Sequence, residues 1–182
     1  MSDALTTARL RLRDFTDNDL ADFAALHADP AAMADLGGPI SRADARDKLS
    51  RYLDGRTRDG IGRLHVSDAA GFIGYVGICC HPPEHPIGAH AEIGWRLLPR
   101  AWGKGYATEA ARAALPHAFA ATALTEILAY TAADNTRSQA VMARLGLTRQ
   151  PDRDFAEPDP VLGTWHGLVW VARARDWPPS AR

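Results

Sequence analysis

Leu10 and Leu12 alternate with Arg9, Arg11 and Arg13, the period of two that a half-buried strand imposes. A helix is expected next. Asp17 is a good N-cap, and Leu20, Phe23, Ala24 and His27 fall on one face until Pro30 ends the run. Between Pro30 and Pro39 the residues are small and turn-like. Ser41 followed by Asp44 resembles a capping box, and Leu49, Tyr52 and Leu53 give the helix behind it an apolar stripe. Arg63 to Ser67 and Phe72 to Cys79 read as a strand hairpin that turns through Ala69, Ala70 and Gly71. His81 to Gly88, rich in proline and histidine, reads as a loop, and Ala89 to Leu98 returns to strand before Pro99. Helical spacing then runs from Lys104 to Ala121, with a kink predicted at Pro116. Glu126 to Thr131 predicts a short strand, Asn135 to Leu145 a helix closed by Gly146, Pro151 to Pro160 a loop, and Gly163 to Ala172 a final strand.

Early hairpins followed by a strand-helix-strand-helix passage predict an α/β fold, a mixed sheet with helices on both faces. With 182 residues, 46% of them hydrophobic, the chain can bury one core and is too short for two ordinary domains. The expectation is a single domain over 1–182, with its core at 6–173. Lys and Arg total 21 against 22 Asp and Glu, so a net charge of -1 gives no general attraction for nucleic acid or an anionic membrane. The sequence has no apolar run of membrane-spanning length, and Met1-Ser2-Asp3 does not open a secretion signal, so a cytoplasmic location is expected. Cys79 and Cys80 are adjacent in an apolar stretch, which argues against a disulfide framework and makes them strand or core residues.

The chemistry concentrates in Arg100-Ala101-Trp102-Gly103-Lys104-Gly105-Tyr106-Ala107-Thr108-Glu109, between the end of a strand and the start of a helix. Two glycines in three residues let backbone N–H groups converge on one anion, and the helix start adds unpaired donors and a positive dipole end. A phosphate or pyrophosphate suits such a turn. It is not a P-loop, because Lys104 is followed by Gly105 and not by a hydroxyl residue that could hold magnesium. Nor is it a dinucleotide fingerprint, because Thr108 stands where the third glycine should be.

Arg100-x-x-Gly103-x-Gly105 resembles the arginine/glutamine-x-x-glycine-x-glycine/alanine signature of the GCN5-related N-acetyltransferases (GNAT). Ala91 to Pro99 is similar to the strand before that turn, Gly71 to Ile78 to the preceding hairpin strand, and Asn135-Thr136-Arg137-Ser138 to the second cofactor segment. The opening, Leu10 to Thr16, is similar to the RimJ/RimL-like branch. The resemblance implies a GNAT-type, mostly antiparallel mixed sheet flanked by helices, and direct acetyl transfer from acetyl-coenzyme A to a primary amine. It places the pyrophosphate on Gly103, Lys104, Gly105, Tyr106 and Ala107 beside Arg100, and the pantetheine arm along Trp95, Arg96 and Leu97. Near Leu97 a backbone N–H would stabilise the oxyanion. By the same resemblance Asn135 binds the pantetheine arm, and Ser138 protonates the departing thiolate, because this sequence has no tyrosine after Gly146 to do so. The acceptor is a protein or peptide α-amine, or a small-molecule amine.

An ammonium acceptor must lose a proton before it can attack. Glu92 is the candidate base, with burial expected to raise its pKa; Asp152, Asp154, Glu157 and several histidines are competitors. His81, Glu84, His85 and His90 look like metal ligands, but Pro82, Pro83 and Pro86 prevent a helical histidine face, and no metal is expected. Trp102 should pack the turn. Trp165, Trp170, Trp177 and Tyr75 read as core or dimer-interface aromatics, so a homodimer is allowed for. The arginines at 42, 46, 51, 56 and 58 are interleaved with aspartates, which suits a solvated helix face better than a nucleic-acid surface. A noncatalytic acyl-coenzyme A sensor and a nucleotide hydrolase are the rival classes.

Overall fold

The alternating N-terminal pattern forms β1 (Leu5–Thr6) and β2 (Arg11–Asp14), with Leu10 and Leu12 buried, in a computed structural model that describes residues 4–159 and 163–177. A 3-10 turn at Asp17–Asp19 precedes α1 (Leu20–Ala28). The segment read as a bare turn after Pro30 is instead a helical step, α2 (Pro30–Met33), because the Asp29 carboxylate accepts the Ala32 N–H at 2.9 Å and proline is at home in a first helical turn. Ser41 caps α3 (Arg42–Asp59), its Oγ accepting the Asp44 N–H.

β3 (Arg63–Asp68), β4 (Gly71–His81) and β5 (His90–Leu97) form an antiparallel meander. Then come α4 (Tyr106–Ala121), β6 (Glu126–Thr131) and α5 (Thr136–Leu145), the last closed by left-handed Gly146. Pro116 lies inside α4 without ending it. β7 (Thr148–Arg149), β8 (Phe155–Asp159) and β9 (Gly163–Arg173) complete the sheet. The stretch Pro151 to Pro160 was expected to be loop, yet it contains β8, which pairs with β9 from Phe155↔Gly167 to Asp159↔Gly163. Pro158 disguises it, since proline is tolerated only where a strand lacks a second neighbour, and β8 is such an edge.

The main sheet has the order β1-β2-β3-β4-β5-β6-β9-β7 and is antiparallel except between β5 and β6. On one face α4 and α5 bury Ala110, Ala111, Ala114 and Leu115 with Val76, Ile78, Ile93 and Leu97. On the other, α1 and α3 bury Phe23, Leu26 and Leu49 with Phe15 and Tyr75. A third cluster of Leu128, Phe155, Val169 and Val171 takes up Trp165 and Tyr130, so Trp165 is a packing residue.

Candidate active site

The parallel pair β5–β6 is held at one register position, Glu92↔Leu128. Beyond it the strands part. The Ile78 N–H donates to the C=O of Gly62, just before β3, and the Leu98 N–H donates to Ile73 C=O on β4. Alternation along an antiparallel ladder therefore turns the main-chain groups of Trp95 and Leu97 away from β4 and into the gap. Trp95, Arg96 and Leu97 line a cleft of about 710 Å³, closed on its other sides by residues 103–108, Asn135 to Ser138, and Ala31, Ala32 and Asp35.

One end of the cleft is the glycine turn. Gly103 (φ +72°) and Gly105 (φ +76°) occupy the left-handed region, and Gly105 caps α4 without a side chain. Glu109 is the first residue whose N–H is taken within the helix, by Gly105 C=O at 3.0 Å. The amides of Tyr106, Ala107 and Thr108 are thus free to bind an anion. Thr108 Oγ1 is buried with no hydrogen-bond partner and lines the same space, so a phosphate oxygen would satisfy an otherwise orphaned group. Arg137 and Arg144 also line the cleft, Arg137 stacked 3.9 Å over the Trp102 ring, whose Nε1–H donates to Leu97 C=O at 2.8 Å. Sequence reasoning left out Arg144, and it quoted Thr108 and Arg137 within the two cofactor segments without giving either a role of its own. Helical spacing from Gly105 and Asn135 could have pointed to them.

Asn135 caps α5, its Oδ1 accepting the Ser138 N–H at 3.1 Å, and its Nδ2 donates to Asp35 at 3.0 Å across the cleft mouth. Asp35 also accepts from Arg96 at 2.9 Å. With Asn135 doing the capping, the Ser138 hydroxyl is left to face the cleft, where the Trp95 Nε1–H donates to it at 3.3 Å. Arg100 is placed elsewhere. Its guanidinium holds the β3–β4 turn through Asp68 at 3.2 Å and Phe72 C=O at 2.6 Å, so its side chain secures the strand beneath the turn and does not line the cleft.

Glu92, Gly94 and Arg96 point to the sheet face opposite the Trp95 side chain, as strand alternation requires. Glu92 is buried and ion-paired with Arg63, and His81 Nε2 lies 3.7 Å from the same carboxylate. Burial works to raise its pKa, but the Arg63 charge, aided by His81, outweighs that and holds Glu92 below the ordinary carboxylate value. The expected upward shift is thus reversed by a partner 29 residues away in sequence. Gly94 makes room for the pair: a Cβ there would stand 2.6 Å from Arg63 Nη1 and 2.8 Å from Glu92 Oε1. Burial lowers the pKa of Lys48 on α3, with Arg96, Arg63 and Arg51 adding repulsion. Burial likewise keeps His85 and His90 below the usual imidazole range.

A mixed sheet opened between two parallel strands, with an anion cradle on one side and a buried carboxylate on the other, is the architecture of an α/β protein with a cleft suited to an anionic ligand. Residues 9–148 match the Acetyltransferase (GNAT) domain, and the chain belongs to that family. It is 46% identical over 57 residues to the FsC-acetyl coenzyme A-N(2)-transacetylase of Aspergillus fumigatus, which covers 31% of this chain and 24% of that enzyme; the chain thus spans about a quarter of that relative's length. The acetyltransferase from Agrobacterium tumefaciens superposes with a TM-score of 0.78 at 29% identity, over 95% of each chain. RimL, a ribosomal alpha-N-protein acetyltransferase in complex with coenzyme A, shares the fold at a TM-score of 0.76 and 16% identity, over 94% of this chain and 98% of that one. Among the described residues no helix is long and apolar enough to cross a membrane.

Proposed function

We propose that the protein transfers the acetyl group of acetyl-coenzyme A to a primary amine by direct attack in a ternary complex, with a RimJ/RimL-like preference for a protein or peptide α-amine and small-molecule amines as the alternative acceptors. The observation that carries this reading is the gap beyond Glu92↔Leu128, into which the main chain of Trp95 and the Leu97 N–H turn, between the glycine cradle and the Glu92 face. The coenzyme supplies the activated thioester. Gly103, Lys104, Gly105, Tyr106, Ala107 and Thr108 hold its phosphates, and Trp95, Arg96, Leu97 and Asn135 hold the arm.

The Leu97 N–H donates to the oxygen that gains charge as the amine adds, and a fixed donor in a water-poor site stabilises such charge better than solvent does. Glu92, ionised through the working range, takes the proton from the ammonium through water. Lys48, Arg63 and Arg96 help by making a further positive charge unfavourable nearby, which lowers the pKa of the acceptor ammonium. Ser138 gives a proton to the departing thiolate and recovers one from solvent.

Calorimetric titration with acetyl-coenzyme A, with ATP plus magnesium as the comparison, tests the donor; thiol release on an amine panel tests the transfer. Metal-independent binding of acetyl-coenzyme A alone is expected. Glu92→Gln should lower kcat at least about 100-fold while leaving coenzyme affinity unchanged. Binding without thiol release on any amine would favour the noncatalytic sensor, and an unchanged kcat in the variant would remove Glu92 from the reaction.

A further inference from the structure

His81 ends β4, His90 begins β5, and the two are paired directly in register. Cross-strand neighbours stand about 4.5–5.5 Å apart at Cβ, and these two imidazoles stack with centroids 4.7 Å apart. The proline-rich loop between them folds back on itself, the His85 N–H donating to Pro82 C=O at 3.2 Å and the Gly88 N–H to His85 C=O at 2.7 Å. His85 is thereby set against the pair, its ring 5.0 Å from His81 and 4.6 Å from His90. One nitrogen from each ring lies within 4.8 Å of those from the other two. The prolines that forbid a helical histidine pair do nothing to prevent this arrangement, because a hairpin assembles it across strands.

The outer contacts of the rings suit ligation. His90 Nδ1–H donates to Gly88 C=O at 2.8 Å, which leaves the lone pair on Nε2, an atom that is buried without a hydrogen-bond partner. His81 Nε2 faces the Glu92 carboxylate at 3.7 Å and the Tyr130 hydroxyl at 3.2 Å, so its proton belongs there and Nδ1 is left to bind. A carbonyl or carboxylate on the nitrogen remote from the ion is the usual support of a metal-bound imidazole.

We propose that His81, His85 and His90 form a binding site for a late first-row divalent cation, zinc foremost, at the loop end of the β4–β5 hairpin. Three imidazoles suit zinc and its neighbours and leave a fourth position for water. Zinc–nitrogen bonds of about 2.0–2.1 Å set nitrogen separations of about 3.3 Å in a tetrahedron. Side-chain torsions must therefore draw the rings together by no more than about 1.5 Å. The ion ties the loop to both strand ends beside Glu92 and so fixes the wall of the acceptor side.

The test uses tag-free protein stripped with a chelator and titrated with zinc chloride by calorimetry, with cobalt(II) absorption as a second probe of ligation and the thermal midpoint as a third. One zinc per chain is expected, with a tetrahedral cobalt band and a raised midpoint. His85→Ala, in the loop and away from the sheet core, and His90→Ala should each weaken zinc at least about 100-fold, whereas His117→Ala on α4 should leave it unchanged. Absence of saturable zinc binding in the wild-type chain, or equal affinity in the wild type and the His85 and His90 variants, would overturn the proposal. None of the three readouts depends on acetyl transfer, so the site stands or falls separately from the proposed activity.

Discussion

A side chain at Gly105 would have to sit at φ +76°, in a region that other residues enter only under strain, and would project beside Arg9 Nη2, 3.7 Å from its Cβ. Gly105→Glu combines that strain with a carboxylate placed where the helix start invites an anion. Acetyl-coenzyme A binding should fall below detection by calorimetry while the circular dichroism of the fold persists; retained affinity would mean that the phosphates lie elsewhere. This part of the site was legible because its donors are successive amides, and Gly103-Lys104-Gly105 fixes where they point without help from distant residues. Thr108 was in view only as the residue that spoils a dinucleotide fingerprint; its hydroxyl gained meaning once burial left it unpartnered. The environment of Glu92 could not be read from β5 at all, since Arg63 comes from β3 and decides the direction of its pKa.

At the scale of elements, β4 is held between β3 and β5 at distances only glycine permits. A Cβ on Gly77 would lie 2.3 Å from Gly62 C=O, and one on Gly74 would lie 2.1 Å from Arg96 C=O, both against backbone and both at positive φ. Gly77→Ala should therefore destabilise the protein by about 2–4 kcal/mol, read as a lower urea midpoint with unchanged slope; a midpoint equal to wild type would contradict so tight a strand approach. Most elements were legible from period and caps: Ser41 and Asn135 do cap α3 and α5, and Gly146 closes α5. The misses share a cause. α2, β7 and β8 are short segments whose own pattern is weak, and they exist because Asp29 supplies a cap or β9 supplies a pairing edge.

For the whole molecule, stability should depend on pH in two windows. His27 is fully buried; burial first, then repulsion from Lys48 and Arg96, outweighs its bond to Phe23 C=O and brings its pKa to about 4. His65 is lowered in the same direction by burial and Arg13. The unfolded chain thus binds more protons below its imidazole pKa of about 6.5, and stability should fall as pH drops from there toward 4. Burial would raise Asp19, but Arg13 with Thr16 outweighs it and sets the pKa at about 2, so its contribution is complete above about pH 4 and is lost below. Urea midpoints from pH 7 to 3 check both, and His27→Gln should flatten the upper window; an unchanged slope there would exclude His27 as its source. By itself the sequence determined the α/β class, most of the elements and the anion cradle, because periodicity, caps and glycine turns act over a few residues. Only tertiary structure decided the gap between β5 and β6, the Arg63–Glu92 pair, the Asp35–Asn135 contact across 100 residues and the meeting of three histidines, because each depends on which strands become neighbours and on the charges those neighbours bury together.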